Sequence, residues 1–316
     1  MTTFLSRAKS AEHIVAIDLG SNAMRAIIVK KTSAGLEVVK NIREPLRLGE
    51  DVFAKGKISQ EKMLLTEEAF INLLHLFTEY NVKNIRTMAT SAMRDAKNGK
   101  ELQRRILEST GIEIETISGH EEAEIICDAV RYQVPLKKKT AVLMDIGGGS
   151  TELTILVDEK IIASQSFNVG TVRLLRYHSA SDLDLRINLQ LQKMVRYLKD
   201  HINLKKIDTF IGTGGNLRRI GKIRKKLLGR GSTEVCSFEE IDHMAETIRR
   251  MSFIERVRGL ELDQNRADVI LPAIMITHHL MRKLEMEKII LPKVGLKEGI
   301  ILSMLAIKPK KFKLKD

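Results

Sequence analysis

Asp145-Ile146-Gly147-Gly148-Gly149-Ser150-Thr151-Glu152 is the stretch on which the fold turns. An apolar run, Ala141 to Met144, leads into it, and a second, Leu153 to Val157, leads out. That order reads as strand, tight glycine turn, strand. Glycine reaches backbone conformations closed to other residues, so main-chain N–H groups in such a turn can approach a phosphate. The same grammar occurs earlier, where Ile14 to Ile17 precedes Asp18-Leu19-Gly20-Ser21-Asn22 and Ala26 to Val29 follows. In each copy an aspartate, Asp18 or Asp145, closes the first strand, where a carboxylate can hold a hard cation beside phosphates. A repeated unit of this kind predicts two related lobes facing one cleft.

Outward from these turns, strands alternate with helices in both halves of the chain. Strands broken at Gly20 and Gly35 are predicted over 13–46. Ser59 opens a helix as its sole cap, because Lys62 stands where a capping box needs Glu. That helix carries apolar residues at helical spacing from Met63 to Tyr80. A strand follows at Ile85–Ala89, a helix at Lys100–Ser109, a strand at Ile112–Ile117 and a helix at Glu121–Tyr132. The basic, proline-bearing stretch Val134–Lys139 reads as a linker.

Beyond it, strands are expected at 140–145, 152–157 and 160–167, then helices near 170–178 and 182–201. A strand at Thr209–Ile211 ends in Gly212-Thr213-Gly214-Gly215, and a basic helix, Asn216–Leu228, comes next. Helices near 237–251 and 266–284, a strand at Lys288–Leu291 and a helix at Leu296–Ala306 complete the pattern. The class is therefore α/β. We expect one domain over 1–132, a second over 133–295, and the helix 296–306 packing back on the first. Residues 307–316 form a basic tail, expected to be a disordered end rather than part of a site.

The 316 residues suffice for two domains with a core each. No apolar run approaches the roughly 20 residues that span a bilayer, and Met1–Ala11 lacks a signal peptide's apolar stretch, so a cytoplasmic protein is expected. Cys127 and Cys236 are isolated, which argues against a disulfide framework or a zinc site. A net charge of +13 points to polyanions as partners. Aromatic residues make up only 4% of the chain, which argues against the stacking platforms of single-stranded nucleic-acid binders.

Several segments can carry chemistry. Asp18, Asp145 and Glu152 sit beside glycine turns and suit Mg²⁺ or another divalent cation, with substrate phosphates completing its shell. Gly212-Thr213-Gly214-Gly215 lies at a helix N-terminus, where the dipole and unpaired N–H groups favour an anion, and the Asn216 amide can reach the same ligand. Arg94, in Thr90-Ser91-Ala92-Met93-Arg94-Asp95, either binds phosphate bidentately or pairs with Asp95 or another neighbour. In Ile117-Ser118-Gly119-His120-Glu121-Glu122-Ala123-Glu124, the acids either stabilise a helix N-terminus or supply a carboxylate that takes a proton from water. Arg218 to Lys226 is either a solvated helix face or a positive wall extending the cleft.

Together these segments, with Gly295-Leu296-Lys297-Glu298-Gly299, resemble the exopolyphosphatase / guanosine pentaphosphate phosphohydrolase family of the actin-like ATPase superfamily. Order and spacing agree over nearly all of residues 12–306, and the pairing of Asp145–Glu152 with the upstream Ile117–Ala123 segment is specific. The length resembles the short, two-domain members. The resemblance implies two ribonuclease H-like domains around a central cleft. It implies phosphate contacts from Gly20, Ser21, Asn22, Gly147, Gly148, Gly149, Ser150, Thr151 and the 212–215 turn. It further implies Glu122 as catalytic base, Asp145 and Glu152 as metal- and water-associated acids, and Arg94 facing the phosphate. Glu124 and Ala23 depart from the family pattern, which often has a basic residue and a serine there.

The expected activity is hydrolysis of terminal phosphoanhydrides of inorganic polyphosphate, with loss of the 5′-terminal phosphate of guanosine pentaphosphate as the chief alternative. A weakly catalytic sensor of guanosine tetra- or pentaphosphate is a third reading. The excess of cationic residues leans toward the long polyanion. The resemblance also raises the expectation of a homodimer.

Overall fold

The computed structural model describes residues 12–33, 35–177, 180–229, 231–306 and 314–315. Its strands are β1 (His13–Leu19), β2 (Met24–Thr32), β3 (Gly35–Glu44), β4 (Val82–Ala89), β5 (Glu115–Thr116) and β6 (Thr140–Ile146). They continue as β7 (Thr151–Val157), β8 (Lys160–Phe167), β9 (Thr209–Thr213), β10 (Val235–Ser237), β11 (Lys288–Ile290) and β12 (Leu314–Lys315). One sheet runs β12-β3-β2-β1-β4-β5 and the other β10-β11-β9-β6-β7-β8. In the first, β1 is antiparallel to β2 and parallel to β4. In the second, β6 is antiparallel to β7 and parallel to β9. Without the edge additions β12 and β10, both sheets follow the ribonuclease H-like order, so the expected α/β duplication is present.

The central strands β1 and β6 are buried along nearly their whole length, as strands covered on both faces must be. The aspartate that ends each apolar run therefore emerges at the sheet's edge beside the glycine turn. The helix Gly119–Gln133 and the helix Leu296–Met304 share one core with both sheets. Ile126 and Val130 of the former and Ile300 of the latter meet Ile14 and Ala16 of β1 and Ala141 and Leu143 of β6. Val134 and Leu136 are buried in the same core, so the proline-bearing connection is pinned down rather than loose.

Several local expectations change. The stretch 170–178 makes only a 3-10 turn, Arg173–Arg176, because the amides of Thr171 and Val172 bond to the Gly147 and Gly148 carbonyls instead of starting an α-helix. The expected strand Ile112–Ile117 shortens to β5, in which Glu115 and Thr116 stand beside Met88 and Ala89, and the Ile117 amide adds one further bond to the Ala89 carbonyl. Helices at Leu48–Lys55 and Phe253–Gly259 are additional. Of the lysine tail, only Leu314 and Lys315 are described, paired with Leu36 and Glu37; the rest lies outside the described residues. Among the described residues no helix is long and apolar enough to cross a membrane.

Gly299 marks the tightest crossing of this core. A Cβ there would overlap the Ile125 carbonyl oxygen, and backbone cannot move aside cheaply. Gly299→Ala should therefore destabilise the protein by about 1–3 kcal/mol through overpacking. The check is a urea titration, with a lower midpoint at unchanged m-value expected.

Candidate active site

The helix Gly119–Gln133 begins with a capping box: the Ser118 hydroxyl accepts from the Glu121 amide, and the Glu121 carboxylate accepts from the Ser118 amide at 2.7 Å. Glu121 is thereby spent on the helix end and faces solvent. One residue on, the helix turn aims Glu122 inward, where it is 7% exposed. The two readings open for the adjacent acids are thus divided between them.

Glu122, Asp145 and Glu152 converge, each offering a carboxylate oxygen within 4.8 Å of the others. Asp145 and Glu152 face each other directly as paired residues of β6 and β7. Each acid is held by a donor. Arg94 Nη1 donates to Glu122 Oε2 at 3.1 Å and to the Ile117 carbonyl at 2.8 Å. Thr213 donates to Asp145 Oδ1 at 2.6 Å, and Ser166 to Glu152 Oε1 at 2.7 Å. Arg94 does not pair with Asp95, which binds Arg173 instead. Asp18, expected as a metal ligand with Asp145 and Glu152, is not among the three convergent acids; it pairs with Arg25 at 3.1 Å.

Burial raises the proton affinity of all these acids. Glu122 is pushed well above the usual carboxylate range, first by desolvation and then by the Glu152 charge, against the pull of Arg94. Glu152 is pushed up to about 7 by desolvation and the Asp145 charge. Asp145 and Asp18 are raised too, chiefly by desolvation, with Thr213 and Arg25 respectively opposing. Glu152 Oε2 is buried without a partner. Convergent oxygen donors, elevated proton affinity and an unpartnered oxygen fit a divalent cation, which takes oxygen ligands and would offset the repulsion.

Glu122, Asp145 and Asp18 line a cavity of about 60 Å³ walled by both glycine loops; Glu152 lies behind this lining, against Asp145. Gly20, Ser21 and Asn22 line one side and Gly147, Gly148 and Ser150 the other, with Gly214, Gly215 and Asn216 between them. Gly214, at φ +99°, turns the chain into the helix Gly215–Leu228 and supplies no capping side chain. The loops nearly touch: a Cβ on Gly148 would lie 2.9 Å from Ser21 Cβ. Ser21 and Ser91 hydroxyls are 2.8 Å apart.

Four expected phosphate contacts, Gly149, Thr151, Gly212 and Thr213, do not line this cavity. Gly149 is packed under Phe53 and Ser91, and Gly212 against Leu217 and Ile289. The Thr151 hydroxyl donates to the Val169 carbonyl at 2.5 Å, and Thr213 serves Asp145. The Asn216 amide donates to Thr171. Glu124 is exposed beside His120, turned away from the acids, and Ala23 is fully buried.

The cavity opens through Arg25, Gly215, Arg218 and Lys297 into a larger trough of about 650 Å³. Nine cationic side chains line the trough (Arg25, Lys40, Arg43, Arg218, Arg219, Lys222, Arg266, Lys293 and Lys297) against one carboxylate, Glu298. Arg218, Arg219 and Lys222 turn the basic helix into a cleft wall. Arg43 Nε is buried with no hydrogen-bond partner. Arg266 is lowered to about 10 by burial and by the charges of Arg43, Arg219 and Arg25. Sequence reasoning missed Arg43 and Arg266, which lie far from any glycine turn and meet only through folding.

Comparison with known proteins supplies the family and the fold. The Ppx/GppA phosphatase family model matches residues 27–308, and the chain belongs to that family of phosphoanhydride hydrolases. A Haemophilus influenzae protein carrying a provisional exopolyphosphatase name is 26% identical over 306 residues, covering 93% of this chain and 92% of that one. The guanosine-5′-triphosphate,3′-diphosphate pyrophosphatase of Photobacterium profundum is 25% identical over 299 residues, 92% of this chain. The match spans only 59% of that longer relative. The crystal structure of an exopolyphosphatase from Cytophaga hutchinsonii superposes with a TM-score of 0.85 at 24% identity, covering 93% of this chain and 98% of that one. The Ppx/GppA family member of Aquifex aeolicus gives 0.77 at 24% identity, with 94% and 98% covered. These superpositions establish the fold.

The acid cluster has a pH consequence. Without a cation, Glu152, raised from 4.5 to about 7, favours folding fully at pH below its unfolded value, and that contribution is lost as pH rises through about 7. A divalent cation competes with those protons. Mg²⁺ should therefore raise the melting temperature more at about pH 8 than at about pH 5.5. Differential scanning calorimetry with and without MgCl₂ checks this; equal shifts at both pH values count against cation binding by the cluster.

Proposed function

We propose that the chain is an exopolyphosphatase that releases terminal orthophosphate from inorganic polyphosphate. The observation that carries this reading is the small cavity bearing Glu122 and Asp145 that adjoins the cationic trough. The cavity is small, about 60 Å³ against about 650 Å³ for the trough, so a polyanion lying in the trough would present only its end to the acids.

The terminal phosphoryl group enters between the Gly20–Asn22 and Gly147–Ser150 loops, with the N-terminus of the helix Gly215–Leu228 adding its positive dipole end. Glu122 takes the proton of a water whose oxygen attacks the terminal phosphorus. The bridging P–O bond breaks, and the shortened chain leaves with the bond's electron pair. Arg94 orients Glu122 and faces the transferring group. Asp145 and Glu152 would hold Mg²⁺ or a similar cation, which when bound neutralises charge on the phosphoryl oxygens. Little covalent chemistry is asked of the protein, since phosphoryl transfer depends mainly on positioning and electrostatics.

Guanosine pentaphosphate remains the second reading, favoured by Val38, Val39 and Ile42 along the trough, which could lie against a purine. The trough lining has no aromatic ring to stack on one.

Two measurements test the proposal. Glu122→Gln should lower kcat about 10²–10⁴-fold on long-chain polyphosphate with binding retained; near-normal turnover would sink the assignment of the base. Arg219→Ala combined with Lys222→Ala should raise KM for polyphosphate about tenfold with kcat little changed, since these groups bind without touching the reacting centre. Phosphate release from guanosine pentaphosphate, assayed alongside, decides between the substrates.

A further inference from the structure

Each convergent acid has one oxygen held by a donor: Arg94 on Glu122, Thr213 on Asp145, Ser166 on Glu152. The donors differ in what could replace them. Ser166 is exposed, so water can take its place. Thr213 is fully buried on β9, directly beside Asp145 of β6 in the parallel register, and its hydroxyl lies 2.6 Å from Asp145 Oδ1. Removing that hydroxyl takes away the side-chain donor on Oδ1 of a carboxylate that is only 8% exposed. The residue that follows, Gly214, passes close to the Ile146 carbonyl, and the parallel pairing of β9 with β6 runs up to Thr213 and Asp145 themselves.

We propose that Thr213 is a positioning residue for the divalent-cation site: its hydroxyl fixes the Asp145 carboxylate so that Oδ2 faces Glu122 and Glu152. The inference rests on the reading of those acids as the cation site, which the buried, unpartnered Glu152 Oε2 supports independently. It removes Thr213 from the phosphate contacts and gives it a role that a valine, of the same shape, could not fill. Partners of metal ligands of this kind affect metal affinity about 10–100-fold.

The test compares wild type, Thr213→Val and Thr213→Ser by calorimetric titration with Mn²⁺ in the absence of substrate, and by steady-state kinetics on polyphosphate. Thr213→Val should weaken Mn²⁺ binding and raise the half-activating Mn²⁺ concentration about 10–100-fold. At saturating Mn²⁺ its KM for polyphosphate should stay within about twofold of wild type. Thr213→Ser, which keeps the hydroxyl, should restore Mn²⁺ affinity, so a folding defect in the valine variant cannot mimic the result. Unchanged Mn²⁺ affinity in Thr213→Val overturns the proposal, as does a raised KM with Mn²⁺ affinity intact, which would make Thr213 a phosphate ligand. A wild-type protein that binds no Mn²⁺ overturns the cation-site reading and this inference with it. Normal Mn²⁺ results without polyphosphate hydrolysis would leave Thr213 in its role and overturn the substrate alone.

Discussion

Three carboxylates buried within 4.8 Å of one another, Glu122, Asp145 and Glu152, are the constraint around which the cleft is arranged. Burying one unpaired ion costs several kcal/mol even after relaxation, and like charges at this range add to that. The fold answers with donors placed one to an acid, and with Arg25 on the neighbouring Asp18. Those donors do not restore ordinary proton affinities. Beside this acid cluster lies a trough with a large cationic excess, where half-buried arginines repel one another. A cation in the first and a polyanion in the second would relieve both at once. On the proposed reading, a cation and a polyanion bound together would satisfy both parts of the cleft.

Holding the two loops at this distance requires residues without side chains. Gly148 lies against Ser21 of the opposite loop, and Gly149 makes room for the Phe53 ring. Arg173 fastens the arrangement: it donates to the Gly149 carbonyl at 2.7 Å, pairs with Asp95 at 2.5 Å and stacks over Phe53 at 4.0 Å. On the other side of the first loop, Arg47 binds Asp268 at 2.6 Å and the Asn22 amide donates to the Asn265 carbonyl. The glycine loops are thus one structure assembled from both lobes, and each wall's geometry depends on the other.

Local grammar exposed part of the acid cluster. Asp145 ends an apolar run at a glycine turn, whereas Glu122 stood out from Glu121 only through the family resemblance, and the capping box that turns Glu121 outward emerges in the fold. The same grammar misled at Gly212, which belongs by composition to a glycine turn but lies within β9, where Leu217 and Ile289 occupy the space of a Cβ. That reason is long-range and leaves no local trace. The helix Leu48–Lys55 was illegible for a similar cause: Arg47 before it is left-handed, offers no capping side chain, and is held by Asp268 from the second lobe. By contrast Phe253–Gly259 carried a readable signal, Ser252 with Glu255 as a capping box. Trough residues such as Arg43 and Arg266 come from opposite lobes, and nothing near either residue announces the other.

The asymmetry of the cleft bears on the direction in which a chain could be consumed. Field lines from nine cations converge in a trough with low-dielectric walls, raising the local concentration of polyanion before any specific contact forms. The acids at the closed end act in the opposite sense and repel a bare phosphate. Entry of the terminal group is then favourable only when its charge is shared with Arg25, Arg94 or a cation held by the cluster. Attraction along the chain combined with selection at its tip favours removal from the end.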